Sequence, residues 1–327
     1  VNSDIFKICV VTKSNYQSLM DHIGSGKDWD LSRKGGGIMI FPPYVTDEND
    51  GLYRGRLDAL KRMREFIQET NAEYVVLCDC DSVLNIDYDE VIEWHQEKGA
   101  DITALYADRE TKPEYSRHSL IYRMDEEGRI RKILIHPEVE GTYSVGLGNW
   151  VMSKETLLSL LDRSVMDDIS RFSEMLKATC DDLKILAYRH DGYSAHIESL
   201  PSYVSHNMEM LDKEKMYSLF YNNQPPIYTK VRDSVPTKYG DSVQIRNSII
   251  ADGCKIEGTV ENSIIFRNVH IEKNCVVKNC ILMQNTVVGE GTTLQWVVAD
   301  KNVSIQPNRT ILTYENAPFY IGKNKKI

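Results

Sequence analysis

The chain has 327 residues, enough for about two domains and for hydrophobic cores that need no disulfide or metal staple. Apolar residues make up 42% and charged residues 27%, which excludes a disordered or collagen-like chain, and no apolar run approaches the roughly 20 residues of a membrane-spanning helix. The net charge of −9, with Lys323-Asn324-Lys325-Lys326 as the one dense basic stretch, argues against nucleic-acid and membrane partners but leaves a nucleotide substrate open. Seven scattered cysteines without a CxxC pair, and no signal peptide ahead of the first strand, predict a reducing, cytoplasmic setting.

In chain order, Phe6–Val11 reads as a buried strand. Ser14 with Gln17 forms a capping box for a helix that carries Leu19, Met20 and Ile23 and stops at Gly24. Ile38–Phe41 is a second strand. Before it, Arg33-Lys34-Gly35-Gly36-Gly37 could let the backbone approach a phosphate, or could simply be a surface loop. Residues 56–70 place Leu57, Leu60, Met63 and Ile67 on one helical face. Tyr74–Cys78 is a third strand, Asp87–Lys98 a helix ended by Gly99, and Ile102–Ala107 a fourth strand, an order that predicts a mainly parallel sheet with helices on both faces. Leu120–Met124 and Arg129–Leu134 flank Asp125-Glu126-Glu127-Gly128 as a hairpin, and helices are predicted at 153–162, 171–179, 200–211 and 212–221.

Pro225, Pro226 and Pro236 mark residues 223–240 as a linker. Beyond it the period changes to six: Ile250 and Ile256; Ile265, Ile271 and Val277; Val288 and Leu294. Turn residues such as Asp252-Gly253, Lys273-Asn274 and Lys278-Asn279 fall between these anchors. One aliphatic per hexad predicts a parallel β-helix, because a single coil cannot bury its anchor alone and must stack.

Three features could carry chemistry. Asp79-Cys80-Asp81 follows a strand directly, where open α/β sheets bind ligands, and paired carboxylates there suit a hard cation such as Mg²⁺. Cys78 and Cys80 lack partner ligands and read as packing. Tyr53-Arg54-Gly55 opens a helix whose first N–H groups suit an anion, as does Arg33–Gly37. No Walker loop and no GxSxG elbow is present.

Thr12-Lys13-Ser14 with Ser18–Ile23, then Tyr53-Arg54-Gly55 with Asp58-Ala59, then Cys80-Asp81 with Asp87-Tyr88, followed by hexads, resembles the ADP-glucose pyrophosphorylase (glucose-1-phosphate adenylyltransferase) family, in particular its GlgD-type subunits. The resemblance runs along essentially the whole chain. It implies a Rossmann-like, GT-A-type nucleotidyltransferase domain over residues 1–222, a linker over 223–240 and a left-handed β-helix over 241–327. It also implies the conversion of ATP and glucose 1-phosphate to ADP-glucose and pyrophosphate with Mg²⁺. Asp81 would be the catalytic and metal-binding carboxylate, with Asp79 as a second metal candidate. Tyr53, Arg54, Gly55, Asp58 and Gly148 would face the substrate or nucleotide.

The departures from the family pattern matter more. His196 stands where the family has its second metal aspartate, and His136 where it has the sugar-phosphate lysine. Arg56 and Leu57 replace small residues and would crowd a nucleotide. The family's Gly-rich phosphate loop would fall upstream of Val1. These departures imply a regulatory subunit with little or no turnover alone, joined to a catalytic ADP-glucose pyrophosphorylase subunit in a hetero- or homotetramer. The alternatives are an active sugar-nucleotide pyrophosphorylase and, on the hexads alone, an acyltransferase using His270.

Overall fold

In the computed structural model, which describes residues 3–13, 16–32, 36–42, 53–221, 226–230 and 233–327, the change of hydrophobic period is a change of architecture. The chain forms two compact units, Val1–Ser194 with Asn223–Lys230, and Ala195–Asn222 with Val231–Ile327.

The first unit opens with β1 (Lys7–Val11), α1 (Gln17–Ile23) and β2 (Gly37–Phe41), the two strands pairing in parallel from Lys7↔Gly37 to Val11↔Phe41. Gly24 ends α1 at φ 57°. Ser14, Arg33, Lys34 and Gly35 lie outside the described residues. Gly37 donates to the Phe6 carbonyl, and a Cβ on Gly36 would strike that same oxygen, so these glycines serve the strand entry.

The predicted helix over 56–70 is two, α2 (Arg56–Arg62) and α3 (Arg64–Glu69), parted at Met63 (φ −97°, ψ 8°). Its four anchors are nonetheless all buried. Next come β3 (Tyr74–Cys78), β4 (Ser82–Leu84), α4 (Tyr88–Lys98) and β5 (Ile102–Thr111). α4 is capped by the Asp87 carboxylate accepting from the Asp89 N–H, and ends on Gly99 at φ 56°. After the short helix α5 (Pro113–Ser116), β6 (Leu120–Met124) and β7 (Ile130–Ile135) form the predicted hairpin, its turn pinned by Asp125 accepting from the Glu127 and Arg129 N–H groups.

β8 (Gly141–Ser153), 13 residues long, is followed by α6 (Lys154–Met166), α7 (Phe172–Thr179) and β9 (Ile185–Arg189). The sheet order is β7-β6-β8-β5-β9, with β3 also on β8. β8 runs antiparallel to β3, β5 and β6, so the sheet is mixed, not mainly parallel; β5 and β9 form its parallel pair. The returning strand enters after a hairpin, with no helical crossover to turn it round. Side chains alternate across the sheet. Ile102, Ala104, Trp150 and Met152 pack with α2, α3, α6 and α7 on one face, while Leu105, Ala107, Leu147 and Val151 pack with α4 on the other.

The second unit contains β10, which is Ser194–His196 across the boundary, α8 (Leu200–Glu209), α9 (Lys213–Phe220) and the β-helix. Residues 200–220 thus fall outside the unit to which the sequence reading assigns them. Val204 packs on Ile281 and Val298, flanked by Leu200, Tyr203, Met208, Phe266, Met283 and Trp296.

The β-helix has three parallel five-stranded sheets wound as a left-handed solenoid. Its stacked inner columns are Ile256, Ile271, Val288, Ile305; Val260, Val277, Leu294, Ile311; and Ile265, Leu282, Ala299, Ile321. Each hexad is one side of the prism. The corners need positive φ, which asparagine tolerates: Asn247, Asn262 and Asn279 stack at one corner, and Asn268, Asn285, Asn302 and Asn324 at another. Their amides join coil to coil, Asn285 donating to Asn302 and Asn302 to Asn324 at 2.9 Å each. Trp296 takes the same left-handed conformation (φ 54°) in the row that Asn247, Asn262 and Asn279 begin, and packs toward α8.

Candidate functional site

β3 buries Leu77 and runs out at Cys78, so the next residues lie at its carboxyl end. There the Asp79 N–H donates to the Gly148 carbonyl at 2.8 Å. Gly148 has φ 70°, and a Cβ on it would strike the Asp79 carboxylate; glycine is required by both conformation and space. The structure therefore brings together Asp79 and Gly148, two of the residues singled out from sequence.

It adds one that the sequence marks only by its bulk. Arg56, the first residue of α2, ion-pairs with Asp79, and its guanidinium lies 4.8 Å over the Trp150 ring. Burial lowers the Arg56 pKa, opposed by the charges of Asp81, Cys78 and Cys80. Trp150 donates to the Tyr122 hydroxyl at 3.3 Å, and burial pushes that phenol up to about 12. Cys78 Sγ lies 3.2 Å from the Tyr88 hydroxyl, which donates to Asn149 Oδ1 at 2.6 Å. Burial also raises both the Cys78 and Tyr88 pKa values. As residues Cys78 and Cys80 are exposed, not packed in a core, because β3 ends at Cys78, although the Cys78 sulfur itself is tucked against Tyr88.

Leu57 belongs to the core and does not crowd the site. The other residues at the start of α2 are engaged with one another. Arg54 pairs with Asp58 at 3.1 Å and Asp168 at 2.8 Å, which holds the Asp168 carboxyl below its usual range. Asp58 also takes the Arg54 N–H and Lys61. Gly55 passes so close to the Ser170 carbonyl that a side chain would collide with it, and that carbonyl accepts the Leu57 N–H at 3.0 Å. Tyr53 is buried beneath Arg62, its hydroxyl on the Pro42 carbonyl at 3.3 Å.

Asp81 is exposed, three residues beyond the last residue of β3. His136 is exposed at the end of β7, at φ 51°, its N–H on the Ser119 carbonyl. It follows the row Leu134–Ile121–Val145, two strand spacings or about 10 Å from β8. His196 belongs to the second unit and is half-buried. His270 is exposed on the β-helix, in register with Lys255 and Val287, so its row supplies no carboxylate for acyl-transfer chemistry.

Mg²⁺ is usually held by one or two carboxylates, with water and phosphate oxygens in its remaining positions. Among the described residues no group of three or more His, Cys, Asp or Glu side chains is placed to hold a metal ion, and Asp79 is already paired with Arg56. While that pair holds, Asp79 does not suit Mg²⁺. No helix among the described residues is long and apolar enough to cross a membrane.

An α/β sheet with an acidic turn at a strand's end, joined to a hexapeptide β-helix, is the build of a nucleotidyltransferase. The pattern of the family described as nucleotidyl transferase matches residues 1–194, and that of the GlmU-like C-terminal hexapeptide matches residues 233–316. The glycogen biosynthesis protein GlgD of Bacillus subtilis (strain 168) is 34% identical over 308 residues, covering 93% of this chain and 78% of that protein. Glucose-1-phosphate adenylyltransferases of Thermosipho africanus (32% over 281 residues, 85% of this chain and 68% of that one) and Halalkalibacterium halodurans (31% over 336 residues, 94% and 86%) are similar along both units. The chain belongs to the glucose-1-phosphate adenylyltransferase family, in the branch that includes GlgD.

Proposed function

We propose that this chain is a GlgD-type, regulatory subunit of ADP-glucose pyrophosphorylase in cytoplasmic glycogen synthesis, with little or no turnover of its own. The observation that carries the reading is the ion pair between Arg56 and Asp79 at the carboxyl end of β3. It is supported by His136 and His196, which by the resemblance stand where the family has a lysine and an aspartate. An imidazole is largely uncharged near neutral pH and offers phosphate less than an ammonium does, and it is a poor Mg²⁺ ligand beside phosphates. Each lost charge-assisted contact costs about 2 kcal/mol, near 30-fold in rate.

In this reading a catalytic subunit joins the chain in a tetramer and supplies Mg²⁺ and the in-line attack of the sugar phosphate on the α-phosphorus of ATP. Within this chain Asp81 and Gly148 would border the nucleotide, while Tyr53, Arg54, Gly55 and Asp58 shape the wall beside it. ADP-glucose formation by the chain alone, the catalytic subunit alone and their mixture tests the proposal. The mixture is expected to exceed the catalytic subunit alone, with the chain alone at background. Robust turnover by the chain alone, abolished by Asp81→Asn, would instead establish an active pyrophosphorylase.

A further inference from the structure

The carboxyl end of β3 is acidic, yet its charge is already answered from within the chain. Asp79 is fixed on three sides. Its N–H is held by the Gly148 carbonyl, its carboxylate abuts the Cα of Gly148, and that carboxylate is paired with Arg56. The guanidinium cannot readily swing away. Its stem leaves the first turn of α2, where Leu57 is locked in the core and Gly55 is pressed on Ser170. Its flat face rests on Trp150, which is itself buried and tied to Tyr122. A guanidinium keeps its charge at any physiological pH and makes directional bonds to carboxylate oxygens. A divalent cation approaching Asp79 would meet a like charge packed against an aromatic ring.

We propose that Arg56 is the resident cation of this site: its guanidinium holds the place at Asp79 that a divalent metal would need, so that the chain takes neither Mg²⁺ nor Mn²⁺ there. The inference stands independently of the subunit reading, since it concerns cation binding by this chain whatever its partner. It also makes the occlusion of Asp79 the work of one side chain, with both carboxylates of the acidic turn left in place.

Mn²⁺ titration of the full chain, followed by the electron paramagnetic resonance signal of the free ion, tests it directly. The chain and its Asp79→Asn variant are expected to bind Mn²⁺ equally weakly at millimolar metal. Arg56→Met keeps an apolar stem against Trp150 but removes the charge, and is expected to gain a site at least 10-fold tighter. The double variant Arg56→Met/Asp79→Asn is expected to lose that gain. Binding by the unaltered chain that Asp79→Asn abolishes would overturn the proposal, as would a folded Arg56→Met protein with no gain. Should Arg56→Met fail to fold in a thermal melt, the comparison of the chain with Asp79→Asn alone decides the matter.

Discussion

Gly148→Ala tests how tightly the strand end is built. At φ 70° an alanine carries the left-handed penalty of about 1–2 kcal/mol, partly offset by about 0.4–1 kcal/mol from a stiffer unfolded chain. That net cost of about 1 kcal/mol is what Gly99→Ala should show, because Gly99 has φ 56° and open space around its Cα. At Gly148 the methyl must also displace the Asp79 carboxylate from its place beside Arg56, and disturbing a charged hydrogen bond costs about 1.5–3 kcal/mol more. The expected total is about 3 kcal/mol, a fall in Tm of ~6–12 °C for the first unit against ~2–4 °C for Gly99→Ala. Differential scanning calorimetry of the two variants measures the difference. Equal melting of both would show that Asp79 is not held against Gly148.

Three further outcomes are expected. Asn285→Val, which places a β-branched residue at φ 61° and cuts the 2.9 Å link to Asn302, should cost about 2 kcal/mol in urea unfolding of the β-helix, with Asn285→Gly costing less than half as much. Trp296→Asn relieves a strained backbone but removes packing toward Val204 and Tyr203. Hydrogen exchange in Leu200–Glu209 should accelerate about 10-fold, and unchanged exchange would refute that role. Asp125, whose carboxyl is depressed first by the Arg129 N–H and then by Arg131, stabilises the hairpin above the ordinary carboxyl range; that contribution is lost as pH falls through the depressed folded value. Asp125→Asn should therefore flatten the acid limb of the pH–stability curve below about pH 4 and leave it nearly parallel above.

Much of this structure was legible because its rules are local. The hexads announce the β-helix, since six residues make one side and each inner aliphatic falls on the next coil's, as Ile271 does on Ile256 and Val288. α4 was legible from Asp87 and Gly99 at its ends. β8 was not, because its glycines at 141, 146 and 148 look like breakers until Tyr122 and Asp79 are seen pressed against two of them. The grouping of α8 with the β-helix was hidden for a similar reason: Val204 reads as an ordinary helix anchor, and its partners Ile281 and Val298 lie 77 and 94 residues later. At the site, the acidic turn and Gly148 could be picked out from sequence. Arg56 could be noticed there only as an unexpected large residue; that its guanidinium meets Asp79 depends on α2 starting beside the end of β3.

The stacked columns also constrain how this chain can change in length. Ile256, Ile271, Val288 and Ile305 are spaced by 15, 17 and 17 residues, so departures from three full hexads are absorbed between strands while every strand keeps its register. One residue added within a strand would turn its aliphatic outward and leave a gap in a dry column. Duplication of a whole turn, such as residues 272–288, would instead preserve all three columns and add one rung to the asparagine ladder. The β-helix is thus quantised: lineages and designers can lengthen it by a complete winding, while fractional changes are confined to the corners.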